Sequence, residues 1–253
     1  RILLFYPFKK IKGFISAFVA YPIAEKFEKR KITPKLRELR GYYKKPFDER
    51  TEISKRKLLD ILSFAGENVP YYKDLYKKYK FNLTKEIVLE EKDRLFSKPL
   101  NETQYYKVKT GGSTGPSCHF YYDQSARDYS SAVTLFARES LGKYKWIDAM
   151  HFACRFPGEE DPKWPSREDF KSFAMNRNNV FFDRLDDEGM EEILDSLKRR
   201  KPYLIHAHPS TIYALACYVE KKGIKESLFD VFESSGEMLQ THMRNRIERV
   251  FQC

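Results

Sequence analysis

Paired cysteines, an unbroken apolar run and a nucleotide-type glycine-lysine loop are all missing from this 253-residue chain. Each absence removes a class of protein. The four cysteines, Cys118, Cys154, Cys217 and Cys253, show no Cys-x-x-Cys spacing and no regular framework. That excludes a disulfide scaffold or a zinc ribbon and fits a reduced, cytoplasmic setting. His206 and His208 have no nearby third ligand, so no metal site is expected. The pattern GxxxxGK[ST] does not occur, which excludes a P-loop kinase or GTPase. The apolar opening RILLFYPFKKIKGFISAFVAYPIAEKF is interrupted by Lys9, Lys10 and Lys12, well short of the ~20 residues a membrane span needs. It also lacks a cleavage site of small residues. It reads as a helix packed on its own domain, with an interfacial helix at a membrane surface as the alternative.

What is present is positive charge. Lys and Arg number 47 against 36 Asp and Glu, a formal net charge of +11. Such a balance favours polyanions: nucleic acid, anionic lipid, or phosphorylated small molecules. The cations are interleaved with acids, as in KEIVLEEKDR and DSLKRRK. That is the pattern of a solvated surface, and no nucleic-acid partner is expected.

Residues 1–50 read as an irregular helical segment broken by Pro34 and Pro46. A firmer helix covers 51–65, where Ile53, Leu58, Ile61, Leu62 and Ala65 recur at helical spacing, and Gly66 ends it. After short elements over 81–104, QYYKVKT (104–110) and HFYYD (119–123) read as two strands around a Gly/Ser/Thr turn. Asp123 then caps a helix over 124–141 with Tyr129, Val133, Phe136, Ala137 and Leu141 as its buried stripe. WIDAMHFAC (146–154) reads as a strand, and 155–172 as a long polar loop. From 179 the chain alternates: strand NVFFDRL, a helix capped by Asp186 and ending in Lys198, Arg199 and Arg200, strand YLIHA, a helix from Pro209 to Gly223, strand FDVFES, and a last helix. In the first of these helices Met190, Ile193, Leu194 and Leu197 face inward. The pattern predicts an α/β fold, a mostly parallel sheet flanked by helices with a helical N-terminal segment. The expected division is 1–50 and 51–253.

TGGSTG at 110–115 is the most informative feature. Gly111, Gly112 and Gly115 let the backbone approach a bound group closely. Successive N–H groups in such a turn form a concavity suited to anions. The hydroxyls of Thr110, Ser113 and Thr114 add donors, and Lys107 and Lys109 on the incoming strand raise the local potential. An unliganded hairpin turn is the plain alternative.

KTGGSTG followed by HFYYD resembles the signature loop of adenylate-forming enzymes, in the form found in phenylacetate-CoA ligases and CapK-like proteins. AGENVPYYKDLY (65–76), RESLGKYKWIDAM (138–150), KPYLIHAHPSTIYALACYVEKKG (201–223) and FESSGEMLQTHMRNRIERVF (232–251) resemble further segments of that family, in the same order. The resemblance implies an ATP-dependent, carboxylate-activating ligase. The carboxylate attacks the α-phosphate of Mg2+-ATP to give an acyl-adenylate, and a thiol, usually CoA, then takes the acyl group. It further implies that Thr110–Gly115 hold the β- and γ-phosphates. Ser234, Ser235, Gly236 and Glu237 would line the adenine side, and His151 the acyl pocket. For His151, Tyr121, Tyr122 and Tyr213, core packing is an equal reading. Two departures matter. The family usually reads GSTG-x-Pro, whereas Pro116 here follows Gly115 directly. The Tyr-Gly-x-x-Glu motif, the ribose-binding Asp and the C-terminal domain with its Lys are expected beyond Cys253. The chain therefore reads as the N-terminal part of such an enzyme, inactive by itself and with no catalytic residue assigned. A repurposed, non-catalytic CapK-like protein of surface-polysaccharide biosynthesis is the alternative.

Overall fold

The computed structural model describes residues 2–76, 83–102, 104–109, 118–141, 148–154, 166–182 and 184–253. Its helices are α1 (Ile2–Ile15), α2 (Tyr21–Phe27), α3 (Ile32–Tyr43), α4 (Phe47–Asn68), α5 (Pro70–Tyr76), α6 (Lys85–Glu90), α7 (Gln124–Glu139), α8 (Arg167–Ala174), α9 (Asp187–Arg200), α10 (Pro209–Lys221) and α11 (Thr241–Phe251). A π-helical turn, Ser16–Ala20, joins α1 to α2. The strands are β1 (Tyr106–Lys109), β2 (His119–Tyr122), β3 (Ala149–Cys154), β4 (Arg177–Phe182), β5 (Leu204–Ala207) and β6 (Val231–Ser234). The chain divides into two compact units, Lys29–Leu141 and the pair Arg1–Glu28 with Gly142–Cys253.

In the second of these, β3 to β6 form a parallel sheet in the order β4-β3-β5-β6. Each step between strands carries a helix, as parallel pairing requires. The predicted α/β layer with a mostly parallel sheet is borne out. The inward stripe read on α9 is also correct: Met190, Ile193, Leu194 and Leu197 are all buried. They pack with Met150, Phe152, Ile205, Ile212, Leu215, Val219, Ile247 and Phe251 into one core. Burial of each such side chain contributes about 1.5–3 kcal/mol. Asp186 caps α9 by accepting from the Gly189 N–H at 2.9 Å. The α9 C-terminus receives a cation from elsewhere in the unit, since Lys9 Nζ donates to the Lys201 carbonyl at 3.0 Å.

Gly189 is required at its place in the first turn of α9. A Cβ there would lie 2.4 Å from the Arg184 carbonyl oxygen, a backbone atom that cannot swing aside. Gly189→Ala is expected to cost about 1–3 kcal/mol by overpacking, read as a lowered urea midpoint at unchanged slope. An unchanged midpoint would show that the turn relaxes freely.

Three expectations are corrected. The stretch 155–172 is not loop throughout, because α8 begins at Arg167 behind a reciprocal capping box. Ser166 Oγ accepts from the Asp169 N–H at 3.1 Å, and the Asp169 carboxylate accepts from the Ser166 N–H at 2.8 Å. Helix α4 runs through Gly66 to Asn68, and the Tyr76 ring packs where a Gly66 Cβ would stand. On α7 the buried face is Asp128, Ala132 and Leu135, one position off the predicted stripe. Val133 and Leu141 are exposed. The helix is rotated because the Asp128 carboxylate is held by Arg30 and the Lys31 N–H. Ala132 shares the buried face with it, and the unit's other buried side chains include Ile32, Leu36 and Leu39 of α3.

Candidate functional site

The predicted β-hairpin exists: β1 and β2 pair antiparallel, with Lys109 opposite His119 at the mouth of the turn. Thr110, Gly111, Gly112, Ser113, Thr114 and Gly115, together with Pro116, lie outside the described residues. Partial burial, then the charges of Lys107 and Lys109, push the His119 imidazole below its ordinary pKa. Tyr121 sits in an aromatic cluster with Phe96 and Tyr105, at 5.2 and 5.1 Å between ring centroids.

The second predicted segment, Ser234–Glu237, lies where β6 leaves the parallel sheet. Ligands of open α/β sheets bind beyond the carboxyl ends of the strands, and here several polar side chains converge at that edge. Parallel pairing sets His206 of β5 opposite Glu233 of β6, and His151 of β3 opposite His206. His206 Nδ1 lies 2.7 Å from Glu233 Oε1, and its Nε2 lies 3.1 Å from Ser235 Oγ. A carboxylate only accepts, so Nδ1 carries a proton and donates to Glu233, while Nε2 and the Ser235 hydroxyl share the second hydrogen bond. The chain hydroxyl–imidazole–carboxylate fixes the direction of the Ser235 side chain, while the Ser235 N–H donates to the Ala207 carbonyl at 3.2 Å. The His151 ring lies 4.9 Å from that of His206. The structure thus places His151 beside the turn that carries Ser235.

After Ser235 the backbone reverses through Gly236, whose φ of +80° belongs to the left-handed region. The His208 ring occupies the space a side chain would need, with Cε1 2.4 Å from the position of a Cβ. Glu237 then reaches the first turn of α10. Its carboxylate accepts from the Ser210 N–H at 3.1 Å and the Ser210 hydroxyl at 3.0 Å. An anion at a helix N-terminus complements the dipole. The Ser210 hydroxyl, and with it the Ser210 N–H and His208, hold the Glu237 carboxyl below the usual carboxylate range. Ser234, Gly236 and Glu237 are exposed. What results is an exposed, hydrogen-bond-fixed turn whose apex must be glycine to leave room for the His208 ring.

Sequence reading singled out the turn, His151, His206 and His208, but not Glu233 and Ser210, which bond to this cluster. The available signal was the register of LIHA against VFES, which aligns His206 with Glu233. Tyr213 belongs to the packing, as it lies against the core and accepts from Arg246 Nη1 at 3.0 Å. Among the described residues no group of three His, Cys, Asp or Glu side chains is disposed to hold a metal ion.

The fold is that of the N-terminal part of an adenylate-forming ligase. 2-Hydroxyisobutyryl-CoA ligase, in an open conformation with 2-HIB-AMP and CoA, superposes with a TM-score of 0.59 at 14% identity, over 82% of this chain and 52% of that one. The same enzyme in its thioesterification state gives a TM-score of 0.59 at 16% identity, covering 82% and 48%. In sequence the chain is a distant homologue of Protein CapK of Staphylococcus aureus, 21% identical over 249 residues, or 89% of this chain and 54% of that protein. The chain therefore spans about half the length of the relatives it matches. No family model matches it. The resemblance to CapK-like adenylate-forming proteins read from the five sequence segments agrees with both likenesses.

Proposed function

We propose that the full-length protein is an ATP-dependent ligase that activates a carboxylate as its acyl-adenylate and passes the acyl group to a thiol. One observation carries this reading. The exposed Ser-Ser-Gly-Glu turn stands at the carboxyl edge of a parallel sheet, in a chain with the fold of a CoA ligase whose structures contain an acyl-AMP and CoA. In this reading the backbone of Ser234–Glu237 lines the adenine, and Thr110–Gly115 hold the terminal phosphates of Mg2+-ATP. His151 borders the acyl group. The thiol is CoA, and the setting is cytoplasmic. Catalysis then rests on positioning the carboxylate and on neutralising phosphate charge.

The test is carboxylate-dependent exchange of labelled pyrophosphate into ATP by the full-length protein, across a panel of organic acids. Exchange that appears with particular acids and vanishes without them is expected. Residues 1–253 alone are expected to give none. A folded full-length protein that binds ATP yet catalyses no exchange with any acid would replace this reading with the second one. That alternative is a CapK-like nucleotide- or partner-binding module of surface-polysaccharide biosynthesis, favoured by the position of Pro116 directly after Gly115.

A further inference from the structure

The turn that leaves β6 holds its shape without the Ser235 hydroxyl. The Ser235 N–H donates to the Ala207 carbonyl at 3.2 Å, and the Glu237 carboxylate accepts from the Ser210 N–H and hydroxyl. The hydroxyl is directed elsewhere. Its Oγ lies 3.1 Å from Nε2 of His206, whose Nδ1 lies 2.7 Å from Oε1 of Glu233. With the Nδ1 proton committed to the carboxylate, the neutral ring keeps its one free lone pair on Nε2, within reach of that hydroxyl. A hydroxyl beside an imidazole that a carboxylate orients in turn is the arrangement of an activated serine nucleophile, recognised by geometry whatever the order in the chain.

The placement suits that chemistry. Base and carboxylate stand on two paired strands, with His206 of β5 opposite Glu233 of β6. The hydroxyl follows on the first residue past the carboxyl end of β6, the edge at which open α/β sheets take their ligands. Ser235 is half-buried between exposed Ser234 and exposed Gly236, so the turn lies open to a small substrate. The His206 and Glu233 side chains are more sheltered, at 26% and 28% exposure. Their hydrogen bond is stronger there than it would be in bulk water.

We propose that Ser235, His206 and Glu233 form a hydrolytic triad acting on small activated acyl esters. Ser235 Oγ attacks the acyl carbonyl while its proton passes to His206 Nε2. The bond from the acyl carbon to the leaving oxygen breaks, and that oxygen takes the proton from Nε2. Water repeats the two steps, releasing the carboxylic acid and restoring the hydroxyl. Glu233 is a positioning residue that orients the ring. No step uses ATP, so the proposal stands apart from the carboxylate-activating reading. The test is labelling of the full-length protein with an alkyl fluorophosphonate, from which Oγ displaces fluoride at phosphorus. Peptide mass spectrometry locates the label, and hydrolysis of p-nitrophenyl acetate is followed in parallel. The label is expected on Ser235. Ser235→Ala is expected to abolish labelling of that peptide and the ester turnover, and His206→Ala to slow both by about a hundredfold or more. Glu233→Ala is expected to lower the limiting labelling rate by about tenfold or more at an unchanged half-saturating probe concentration, a split that a merely structural role would not produce. A wild type that carries no label on Ser235, or that hydrolyses the ester no faster than Ser235→Ala, overturns the proposal. So does a His206→Ala protein that is labelled at the wild-type rate. The location of the label on the wild type decides without any variant having to fold.

Discussion

Asp128→Ala is expected to lower the unfolding free energy by about 3–5 kcal/mol, the cost of orphaning one partner of a buried ion pair. The Asp128 side chain is 2% exposed and that of Arg30 9%. The carboxylate accepts from Arg30 Nε, from the Lys31 N–H at 2.7 Å and from Gln124 Nε2 at 2.7 Å. Arg30 Nη2 also donates to Ser131 Oγ at 3.0 Å, so the guanidinium cannot swing to water when its partner is lost. Asp128→Asn keeps the shape and part of the hydrogen bonding, and its loss should be smaller. The same network gives a signature in pH. Burial by itself would raise the Asp128 carboxyl, but the hydrogen bonds from Arg30, Lys31 and Gln124 outweigh it and hold the group below its ordinary pKa. A carboxyl depressed in the native state stabilises the fold above the ordinary carboxylate range. That contribution is lost as the pH falls through the native value. Urea unfolding of the wild type and of Asp128→Asn should therefore show a gap at neutral pH that narrows in acid. A gap that is constant with pH would mean the charge contributes nothing and the cost is steric.

What could be read from the sequence follows the reach of the interactions. The last third was legible because each strand and helix there is specified locally. Asp186 caps α9, Pro209 opens α10, and the 3.6-residue stripe of Met190, Ile193, Leu194 and Leu197 faces one core. The α7 stripe was misread because its rotation is set by Arg30 and Lys31, nearly 100 residues away, and no periodicity encodes that partner. Helix α8 was misread for a different reason. Ser166 and Asp169 stand at capping-box spacing, but the prolines before them suggested loop. The site was half legible. A Ser-Ser-Gly-Glu turn after a strand is visible in one dimension, whereas the pairing of His206 with Glu233 exists only once β5 and β6 are in register. The buried face of the N-terminal helix, with Ser16, Ala17, Ala20 and Tyr21, was the least legible feature. The apolar residues of 8–27 give their number and spacing, but which face is buried depends on Ser16 finding the Phe173 carbonyl.

Gly236→Ala is expected to weaken ATP binding by the full-length protein by roughly tenfold or more, with little loss of global stability. Two effects combine at that position. An alanine at φ +80° is strained, by about 1–3 kcal/mol, and each 1.4 kcal/mol placed on the bound state is about tenfold in affinity. The added Cβ would also meet the His208 ring at 2.4 Å, forcing the ring away from Glu237 Oε1, 3.5 Å from its Nδ1. Since Gly236 is exposed and outside the core, the fold can absorb the change by opening the turn, and the nucleotide surface takes the damage. The pair of effects can be separated. Removing the ring in the double variant Gly236→Ala with His208→Ala relieves the clash but not the backbone strain, so affinity should recover only in part. Ser235→Ala deletes the hydroxyl that shares a hydrogen bond with His206 at 3.1 Å and leaves the backbone conformation free to form. Its effect on ATP affinity should be well below that of Gly236→Ala if the turn acts through its backbone. Titration calorimetry on the four proteins decides the matter. Equal affinities for wild type and Gly236→Ala would remove the turn from the nucleotide site, whatever the protein's reaction proves to be.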